Sequence, residues 1–316
     1  MSPVRVVVLR ALKLGDFLTA LPAFRALRRA YPDARISLVA PAQFAALLDL
    51  AGDPVDEIVD SGELQPLAPQ LHGADLAVNL HGRGPQSHRL LLATHPRRLL
   101  AFAHPAIPES AGGARYDDDE HEVDRWCRLL ADAGIRADPS ELDIAAPPVA
   151  LPPDIRGATL LHPGASSEAR RWPVDRWIEV ARAEQRLGRS VVITGGADEV
   201  ERARAVAAGA EVPPAHVYAG RTTLRELTAL VAAAGRIVCG DTGIAHLATA
   251  LHRPSVVLFG PIAPSRWGPP PRPYHRVLWS GRTGNGPAAD DVDPGLLTIT
   301  PERVIAELDA LPAPSV

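Results

Sequence analysis

A proline-rich stretch near the middle of the chain, AAPPVALPP at residues 145–153, constrains the fold more than any other feature of the sequence. Proline lacks a backbone N–H and has a fixed φ angle, so this stretch cannot easily form a helix or a central strand. It predicts a semi-rigid linker between two parts of ordinary domain size. We therefore expect two domains, residues 1–150 and 151–300, followed by a terminal helical segment at 301–316.

Short apolar runs alternate with amphipathic stretches in both parts. The apolar runs predict strands at residues 4–9, 35–39, 55–59, 75–80, 158–161, 190–194, 236–239 and 255–259. Helical spacing predicts helices at residues 17–31, 43–50, 122–133, 174–187, 199–208, 224–234, 244–251 and 301–311. Pro22 should kink the first helix or displace its start, and the Gly/Pro-rich span 261–294 shows no regular pattern.

Strands separated by helices indicate right-handed βαβ units and parallel sheets. The predicted fold class is α/β, with two doubly wound, Rossmann-like domains facing each other across a cleft. Ligands of such sheets bind beyond the carboxyl ends of the strands. Candidate functional residues are therefore sought in the loops that follow strands.

Composition and charge exclude several function classes. The chain is 46% hydrophobic and 22% charged, as ordinary globular proteins are. A formal net charge of −4 argues against the basic face that a nucleic-acid-binding protein needs. No apolar stretch approaches the roughly 18 residues of a membrane span, and the apolar run at 6–9 is too short for a signal peptide. We expect a cytoplasmic protein with no nucleic-acid partner and at most peripheral membrane contact.

Metal binding is not expected. The sequence has no HExxH motif, and the acidic clusters at 117–120 and 290–293 are typical of solvated surface charge. Cys127 and Cys239 lie far apart without CxxC spacing, which predicts two reduced, buried thiols.

The loop after the first predicted strand contains a candidate general base. Gly15 permits a tight turn, and Asp16 follows it at the start of a predicted helix. An aspartate at this position can be a helix cap, worth about 1 kcal/mol. It can also be a carboxylate that accepts a proton from a substrate. A helix N-terminus keeps such a carboxylate ionised but weakens it as a base, so both roles stay open.

Two loops of the second part contain small, hydroxyl and charged residues. The loop after the strand at 158–161 contains Ser166, Ser167, Arg170 and Arg171. Hydroxyl and guanidinium groups beside a helix N-terminus suit a phosphate, although an exposed loop with solvated arginines would have the same composition. The next loop contains a glycine pair and Glu199, which could accept hydrogen bonds from a ribose or be a first-turn helix acid.

The sharpest motif is CGDTGIAH at residues 239–246. The backbone N–H groups of Thr242 and Gly243, with the threonine hydroxyl, predict an anion-binding turn at a helix N-terminus. Asp241 could orient that turn or hold His246, which by itself is typical of a structural histidine. A second Asp-Thr-Gly triplet, as an aspartic protease needs, is absent from the sequence.

Five segments, in this order, resemble glycosyltransferase family 9, which contains the ADP-heptose:lipopolysaccharide heptosyltransferases. They are GDFLTALPA at 15–23, HPGA at 162–165 with RRWP at 170–173, GGADE at 195–199, DTGIAH at 241–246, and FGP at 259–261 with WGP at 267–269. The resemblance implies a GT-B fold in which the first domain binds the acceptor and the second the nucleotide sugar. It also implies that the last helix packs back on the first domain.

The resemblance assigns roles to individual residues. Asp16 matches the aspartate that deprotonates the acceptor hydroxyl in an inverting transfer. Arg170 matches a basic residue, usually lysine, that supports the diphosphate, and Ser166 falls at the adjoining hydroxyl position. Glu199 matches the acid near the nucleotide ribose.

The DTGIAH segment completes the implied donor site. Asp241, Thr242 and Gly243 match the phosphate loop, and His246 supports it. The resemblance implies a heptose-like donor linked to ADP as a co-substrate, no separate cofactor, and a glycan or small-molecule acceptor.

Two other functions remain open at this point. A nucleotide-sugar epimerase could be built on the same two-domain scaffold and would convert its donor without an acceptor. A non-catalytic module that only binds nucleotide sugars would show binding without turnover. The joint presence of Asp16 and the phosphate loops favours the transferase.

Overall fold

The computed structural model describes residues 3–282 and 290–312. The chain divides into two compact units, Met1–Ile144 and Ala145–Val316. The division falls at the first residue of the proline-rich stretch, slightly before the predicted boundary. The predicted boundary, after residue 150, lies six residues further along the chain.

The first unit contains a five-stranded parallel sheet. Its strands are β1 (Arg5–Leu9), β2 (Arg35–Ala40), β3 (Glu57–Asp60), β4 (Leu76–Asn79) and β5 (Leu99–Leu100). Its helices are α1 (Leu14–Thr19), α2 (Leu21–Ala30), α3 (Gln86–Leu92) and α4 (Glu122–Asp132). The strand order is β3-β2-β1-β4-β5.

The chain reverses its direction of growth across the sheet between β1 and β4. β1 pairs with β2 on one side and with β4 on the other, with Leu9 opposite Val39 and Asn79 respectively. Ligands of doubly wound sheets bind at such a switch point, beyond the carboxyl ends of the strands. In this unit that place is the loop from Arg10 to α1 together with the loop after β4.

The second unit repeats this architecture. Its strands are β6 (Thr159–His162), β7 (Val191–Ile193), β8 (Arg236–Gly240), β9 (Ser255–Leu258) and β10 (His275–Leu278), in the order β10-β9-β8-β6-β7. Its helices are α5 (Val174–Arg186), α6 (Val200–Ala210), α7 (Leu224–Ala233), α8 (Gly243–Ala250), α9 (Pro264–Trp267), α10 (Pro294–Leu297) and α11 (Pro301–Asp309). The switch point lies between β6 and β8, which pair in parallel.

Several predicted elements differ in detail. The single helix expected at 17–31 is two helices, α1 and α2, separated at Ala20, because Pro22 is accepted only in the first turn of a helix. The helix expected at 43–50 is a pair of 3-10 turns, Ala42–Leu47 and Asp49–Ala51. The strands β5 and β10 and the helices α3, α9 and α10 were not predicted.

The last helix packs differently from the expectation. We expected α11 to lie on the first domain, but its buried residues Val304 and Leu308 belong to the apolar core of the second unit. The carbonyl group of Leu308 also accepts a hydrogen bond from Arg236 Nη1 of β8, at 3.1 Å. The apolar face of α11 is thus buried within the second unit. Residues 313–316 of the expected segment lie outside the described residues.

The described part of the chain bears on two expectations, one about membrane spans and one about the cysteines. No helix there is both long and apolar enough to cross a membrane. Cys127 and Cys239 are buried free thiols, which confirms the expectation.

Candidate active site

Asp16 lies in the first turn of α1. It is the third residue of the helix, and its Oδ2 accepts a hydrogen bond of 3.3 Å from the backbone N–H of Lys13, which is the N-cap. Asp16 was expected at the cap position itself; instead it reaches back to that position from inside the helix. Its side chain keeps 21% exposure, so the carboxylate stabilises the helix and can still contact a substrate.

A fully buried arginine lies against Asp16. Arg10 follows β1 directly and is 0% exposed. Its Nη2 is 2.8 Å from Glu122 Oε1 and 3.4 Å from Asp16 Oδ1, and its Nε donates to the Asp16 carbonyl oxygen at 2.9 Å. The guanidinium also lies over the Trp126 ring, 4.8 Å from its centroid. Asp16 is thus one of two carboxylates that share one buried cation.

This environment decides how basic Asp16 is. Burial raises the pKa of Asp16 above its ordinary value, the Arg10 charge opposes this rise, and the Glu122 charge adds to it. Burial acts in the same direction on Glu122, but Arg10 and Arg125 hold the pKa of Glu122 below its usual range. Glu122 therefore stays ionised, and Asp16 is the better proton acceptor of the two. Burial thus counteracts the weakening effect of the helix N-terminus.

His81 lies near the same guanidinium. It follows β4, and its backbone N–H donates to Asn79 Oδ1 at 2.9 Å. Burial, with the Arg10 charge, lowers the pKa of His81 to about 4, so its ring is neutral at pH 7. Its Nδ1 is buried and has no hydrogen-bond partner among the described residues. A neutral imidazole with one free nitrogen can accept or donate a hydrogen bond at this edge of the sheet.

In the second unit, Arg170 joins the two loops at the switch point. It lies in a 3-10 turn, Glu168–Arg170, in the loop after β6. Its Nη1 is 3.4 Å from both Oδ2 and the carbonyl oxygen of Asp241, which follows β8. The structure thus brings together Arg170 and Asp241, which lie 71 residues apart in the sequence. Asp241 is buried and fixes the guanidinium beside the start of α8.

Several polar atoms around this pair lack partners. Ser167 Oγ, Arg170 Nε and Thr242 Oγ1 are buried and make no hydrogen bond to the described residues, apart from a weak contact of Thr242 with the Cys239 thiol. Thr242 is the N-cap of α8 and Gly243 its first residue. Buried polar groups are normally hydrogen-bonded, so these atoms are available to bind a ligand. Hydroxyl, guanidinium and helix N-terminal N–H groups together fit an anion.

Ser166 is not part of that cluster. Its side chain is exposed, whereas the neighbouring Ser167 has the buried hydroxyl. The structure therefore favours Ser167 as the hydroxyl beside Arg170.

Glu199 lies with a histidine that was quoted in a motif but given no role. Glu199 Oε2 accepts a 2.7 Å hydrogen bond from the Gly196 N–H and lies 3.7 Å from His162 Nε2. His162 Nδ1 is 3.0 Å from Thr194 Oγ1. Burial lowers the pKa of His162, although the Glu199 charge opposes the shift. A Cβ on Gly164 would lie 2.0–2.2 Å from the Glu199 carboxyl group, so this carboxylate needs glycine there.

His246 is one turn inside α8 and half-buried. Its ring meets the Trp267 ring edge to face, with the centroids 5.9 Å apart. Trp267 belongs to the WGP segment at 267–269. His246 thus connects α8 to the end of α9.

Sequence reasoning gave no role to four residues of these sites: Arg10, His81, Glu122 and His162. A polar residue directly after a continuous apolar run, as at Arg10 and His162, is a signal that could have been used. Glu122 gives no such signal, because its partner Arg10 is 112 residues away. The described part of the chain has no group of three His, Cys, Asp or Glu side chains placed to hold a metal ion.

Residues 113–294, more than half of the chain, match the family model described as glycosyltransferase family 9 (heptosyltransferase). The lipopolysaccharide heptosyltransferase 2 of Escherichia coli K12 is 28% identical, with 97% of this chain and 98% of that protein covered.

Two solved structures share the two-unit architecture. The E. coli ADP-heptose LPS heptosyltransferase II superposes with a TM-score of 0.76 at 25% identity, covering 97% of this chain and 98% of that one. A glycosyltransferase family 9 protein from Veillonella parvula superposes with a TM-score of 0.79 at 22% identity, covering 98% of both chains. These likenesses show the GT-B fold.

Proposed function

Because the chain belongs to glycosyltransferase family 9, we propose that it transfers a heptose-like sugar from an ADP-linked donor to a hydroxyl group of a glycan or small-molecule acceptor, with inversion at the anomeric carbon. The family membership selects the transferase over the epimerase and the binding module. Beyond the transferase class, the proposal names the donor, the stereochemistry of the transfer and the residues that bind the donor or accept the proton.

The observation that supports the donor site most strongly is the incomplete cluster at the β6–β8 switch point. Arg170 is fixed by Asp241 at 3.4 Å, and the polar atoms Ser167 Oγ, Arg170 Nε and Thr242 Oγ1 are buried without a full set of partners. A diphosphate supplies acceptor oxygens for all of them. Its negative charge is stabilised by the guanidinium and by the N-terminus of α8.

The donor site supports departure of the leaving group. As the bond between the anomeric carbon and the diphosphate oxygen breaks, its electron pair stays on that oxygen, and the negative charge there grows. Arg170 and the N–H groups at the start of α8 are already oriented toward such a charge, so little reorganisation is needed in the transition state. We propose on this basis that the transfer needs no resident metal ion or cofactor.

Asp16 is the proposed base. The acceptor hydroxyl oxygen attacks the anomeric carbon on the face opposite the leaving diphosphate, and its proton passes to the Asp16 carboxylate. Burial raises the pKa of Asp16 and so strengthens it as a proton acceptor. His81, with a free ring nitrogen, is available to orient the acceptor hydroxyl.

The names of the relatives indicate which donor and which acceptor to propose. One of them is named an ADP-heptose LPS heptosyltransferase and another a lipopolysaccharide heptosyltransferase. We therefore propose ADP as the donor nucleotide and a hydroxyl of a saccharide as the preferred acceptor. Glu199, held by Gly196 and His162, is the proposed partner of the ribose hydroxyl groups.

Calorimetric titration of the full chain with ADP, UDP and GDP tests the donor. We expect saturable binding of ADP and at least tenfold weaker binding of the other two, which corresponds to about 1.4 kcal/mol. Mass spectrometry with ADP-heptose and a panel of saccharide acceptors then tests transfer. Tighter binding of UDP or GDP would contradict the donor assignment, and conversion of the donor without an acceptor would contradict the transferase.

A further inference from the structure

A buried guanidinium group, that of Arg10, connects the parts of the first unit's site. Each of its three nitrogens has a hydrogen-bond partner. Nη1 donates to the carbonyl oxygen of Leu80, which follows β4, while Nε donates to the carbonyl oxygen of Asp16 in α1. Arg10 thus fixes the two loops at the β1–β4 switch point to each other.

The same guanidinium is shared unequally between two carboxylates. Glu122 of α4 lies 2.8 Å from Nη2, whereas Asp16 Oδ1 lies 3.4 Å from it. Glu122 is 5% exposed and Asp16 21% exposed. Glu122 is held further by Trp126 Nε1 at 2.8 Å and by Arg125. The tighter, drier pair is therefore Arg10 with Glu122, and Asp16 receives only part of the Arg10 charge.

This sharing matters for a base. A carboxylate paired fully with a buried arginine binds protons weakly. A buried carboxylate without any cation has a raised pKa, so a larger share of it is protonated and unable to accept a proton. A cation held mainly by a second carboxylate gives an intermediate situation, in which Asp16 is ionised and still basic.

We propose that Arg10 is a positioning residue that holds Asp16 at the end of β1, and that Glu122 limits how much of the Arg10 charge reaches the Asp16 carboxylate. The proposal deepens the proposed function and rests on it in one respect, the role of Asp16 as the base. Arg10 and Glu122 act through Asp16 and need not touch the substrate.

Other titratable groups interact with Asp16, Arg10 or Glu122. Besides Arg10 and Glu122 they are Lys13 through its backbone, Arg125 of α4, Tyr116 and His81. His81 is neutral because its pKa is lowered to about 4, and burial raises the pKa of Tyr116, which keeps it neutral as well. Arg125 pairs with Glu122. Arg10 and Glu122 are therefore the charges that set the titration of Asp16.

Carbon-13 NMR of the Asp16 carboxyl group tests this without any substrate. The full chain is labelled at aspartate, and the signal lost in Asp16→Asn identifies Asp16. We expect Arg10→Met to move the Asp16 titration to higher pH and Glu122→Gln to move it to lower pH. Glu57→Gln, which removes a carboxylate from the distant surface pair with Arg35, should leave the titration unchanged.

Transfer assays separate charge from position. Arg10→Lys keeps the charge but loses the planar fork that reaches Asp16, Leu80 and Glu122. We expect it to lower kcat at least about tenfold, because the base is misplaced, with the acid limb of the pH profile close to that of the wild type. In Arg10→Met the acid limb should move upward, with partial recovery of activity at high pH. A general loss of structure would give no such recovery.

The outcomes are distinguishable from failure of the proposed function. An Asp16 titration that stays in place, or that moves in the same direction in Arg10→Met and Glu122→Gln, overturns the inference and leaves the transferase intact. Full transfer activity in Asp16→Asn overturns the base assignment whatever the titration shows. If Arg10→Met does not fold, as a thermal melt would reveal, the comparison of Glu122→Gln with the wild type decides, since a titration that does not fall contradicts the proposal.

Discussion

Each of the two switch points of this molecule has a central arginine, but the two arginines differ in how completely they are buried and hydrogen-bonded. In the first unit the central cation, Arg10, is fully buried and every one of its nitrogens is paired. In the second unit the corresponding cation, Arg170, is 22% exposed, and its Nε is buried without a partner. Of the buried polar atoms without partners in the described residues, one, His81 Nδ1, lies in the first unit and seven lie in the second.

The difference indicates different chemical tasks on one architecture. A saturated ion network holds a side chain rigidly and sets its affinity for protons, as a general base requires. A cluster with unsatisfied donors has a desolvation cost that an anionic ligand relieves, as an anion-binding site requires. Two five-stranded parallel sheets with different strand orders thus give a site for proton transfer at one switch point and a site for a diphosphate at the other.

The largest expected effect comes from the base. Asp16→Asn keeps the size and one acceptor oxygen but removes the proton-accepting charge, so the transfer rate should fall by about 10²- to 10⁴-fold. ADP affinity, measured by calorimetry, should not change. Asp124→Asn, at an exposed first-turn acid of α4, is the matched control and should retain full activity. A variant Asp16→Asn that transfers sugar normally would remove the proposed base.

The next effect breaks the anion site. Arg170→Ala removes the cation that Asp241 holds, and hydrogen bonds to charged groups are worth about 1.5–3 kcal/mol. ADP should therefore bind about 10- to 150-fold more weakly, while Arg170→Lys should recover part of this loss. Arg204→Ala, at an exposed pair with Glu201, should bind ADP as the wild type does. Equal ADP affinity in Arg170→Ala would place the diphosphate elsewhere.

A glycine substitution tests the proposed ribose contact. In Gly164→Ala the new Cβ would lie 2.0–2.2 Å from the Glu199 carboxyl group, which must then move. We expect the discrimination between ADP and ADP lacking its ribose 2′- and 3′-hydroxyls to decrease. Gly112→Ala, whose Cβ would meet nothing within 4 Å, serves as the control. Unchanged discrimination in Gly164→Ala would show that Glu199 does not contact the ribose.

Two threonine hydroxyls, one at the N-cap of α8 and one inside that helix, separate an effect on ADP binding from an effect on thermal stability. Thr242→Val removes the Oγ1 that lacks a full set of partners, so ADP binding should weaken up to about tenfold, with thermal stability unchanged or raised. Thr249→Val removes a hydroxyl that donates to the Ala245 carbonyl oxygen at 3.1 Å. It should lower stability and leave ADP binding intact. The reverse pattern would contradict the assignment of the cluster as a ligand site.

The smallest effect concerns stability and pH. Burial raises the folded-state pKa of Asp16, so the folded chain favours the protonated carboxyl, and the ionised form destabilises it at neutral pH. Asp16→Asn should therefore raise the melting temperature slightly at pH 7. The gain should vanish as the pH falls below that pKa, where the wild-type carboxyl is already neutral. A gain that grows toward acid pH would give the opposite sign and contradict the raised pKa.

The sequence predicts the architecture well because most strands and the division between the units have local sequence signals. Continuous apolar runs such as the one that forms β1, and the proline-rich stretch at 145–153, are visible without any knowledge of long-range contacts. The short edge strand β10 was missed because it lies in a Gly/Pro-rich span. The placement of α11 was wrong because its apolar stripe says that it is buried, but not against which sheet.

The candidate sites were predictable to the extent that they lie in strand-to-helix loops. Asp16, Arg170, Asp241 and Thr242 all come from such loops, and the structure brings Arg170 to Asp241. The sequence could not show that Glu122, from the start of a distant helix, shares a cation with Asp16. It also could not choose between the adjacent Ser166 and Ser167, since a one-residue difference in a loop decides which hydroxyl is buried.

Hydrogen–deuterium exchange of the full chain with and without ADP tests the division of labour most directly. The account predicts that the largest protection by ADP falls on peptides covering residues 163–171 and 240–246, and that Arg170→Ala abolishes it. Largest protection on peptides covering residues 10–16, or protection at 163–171 and 240–246 that survives in Arg170→Ala, would contradict the assignment of the diphosphate to the second unit.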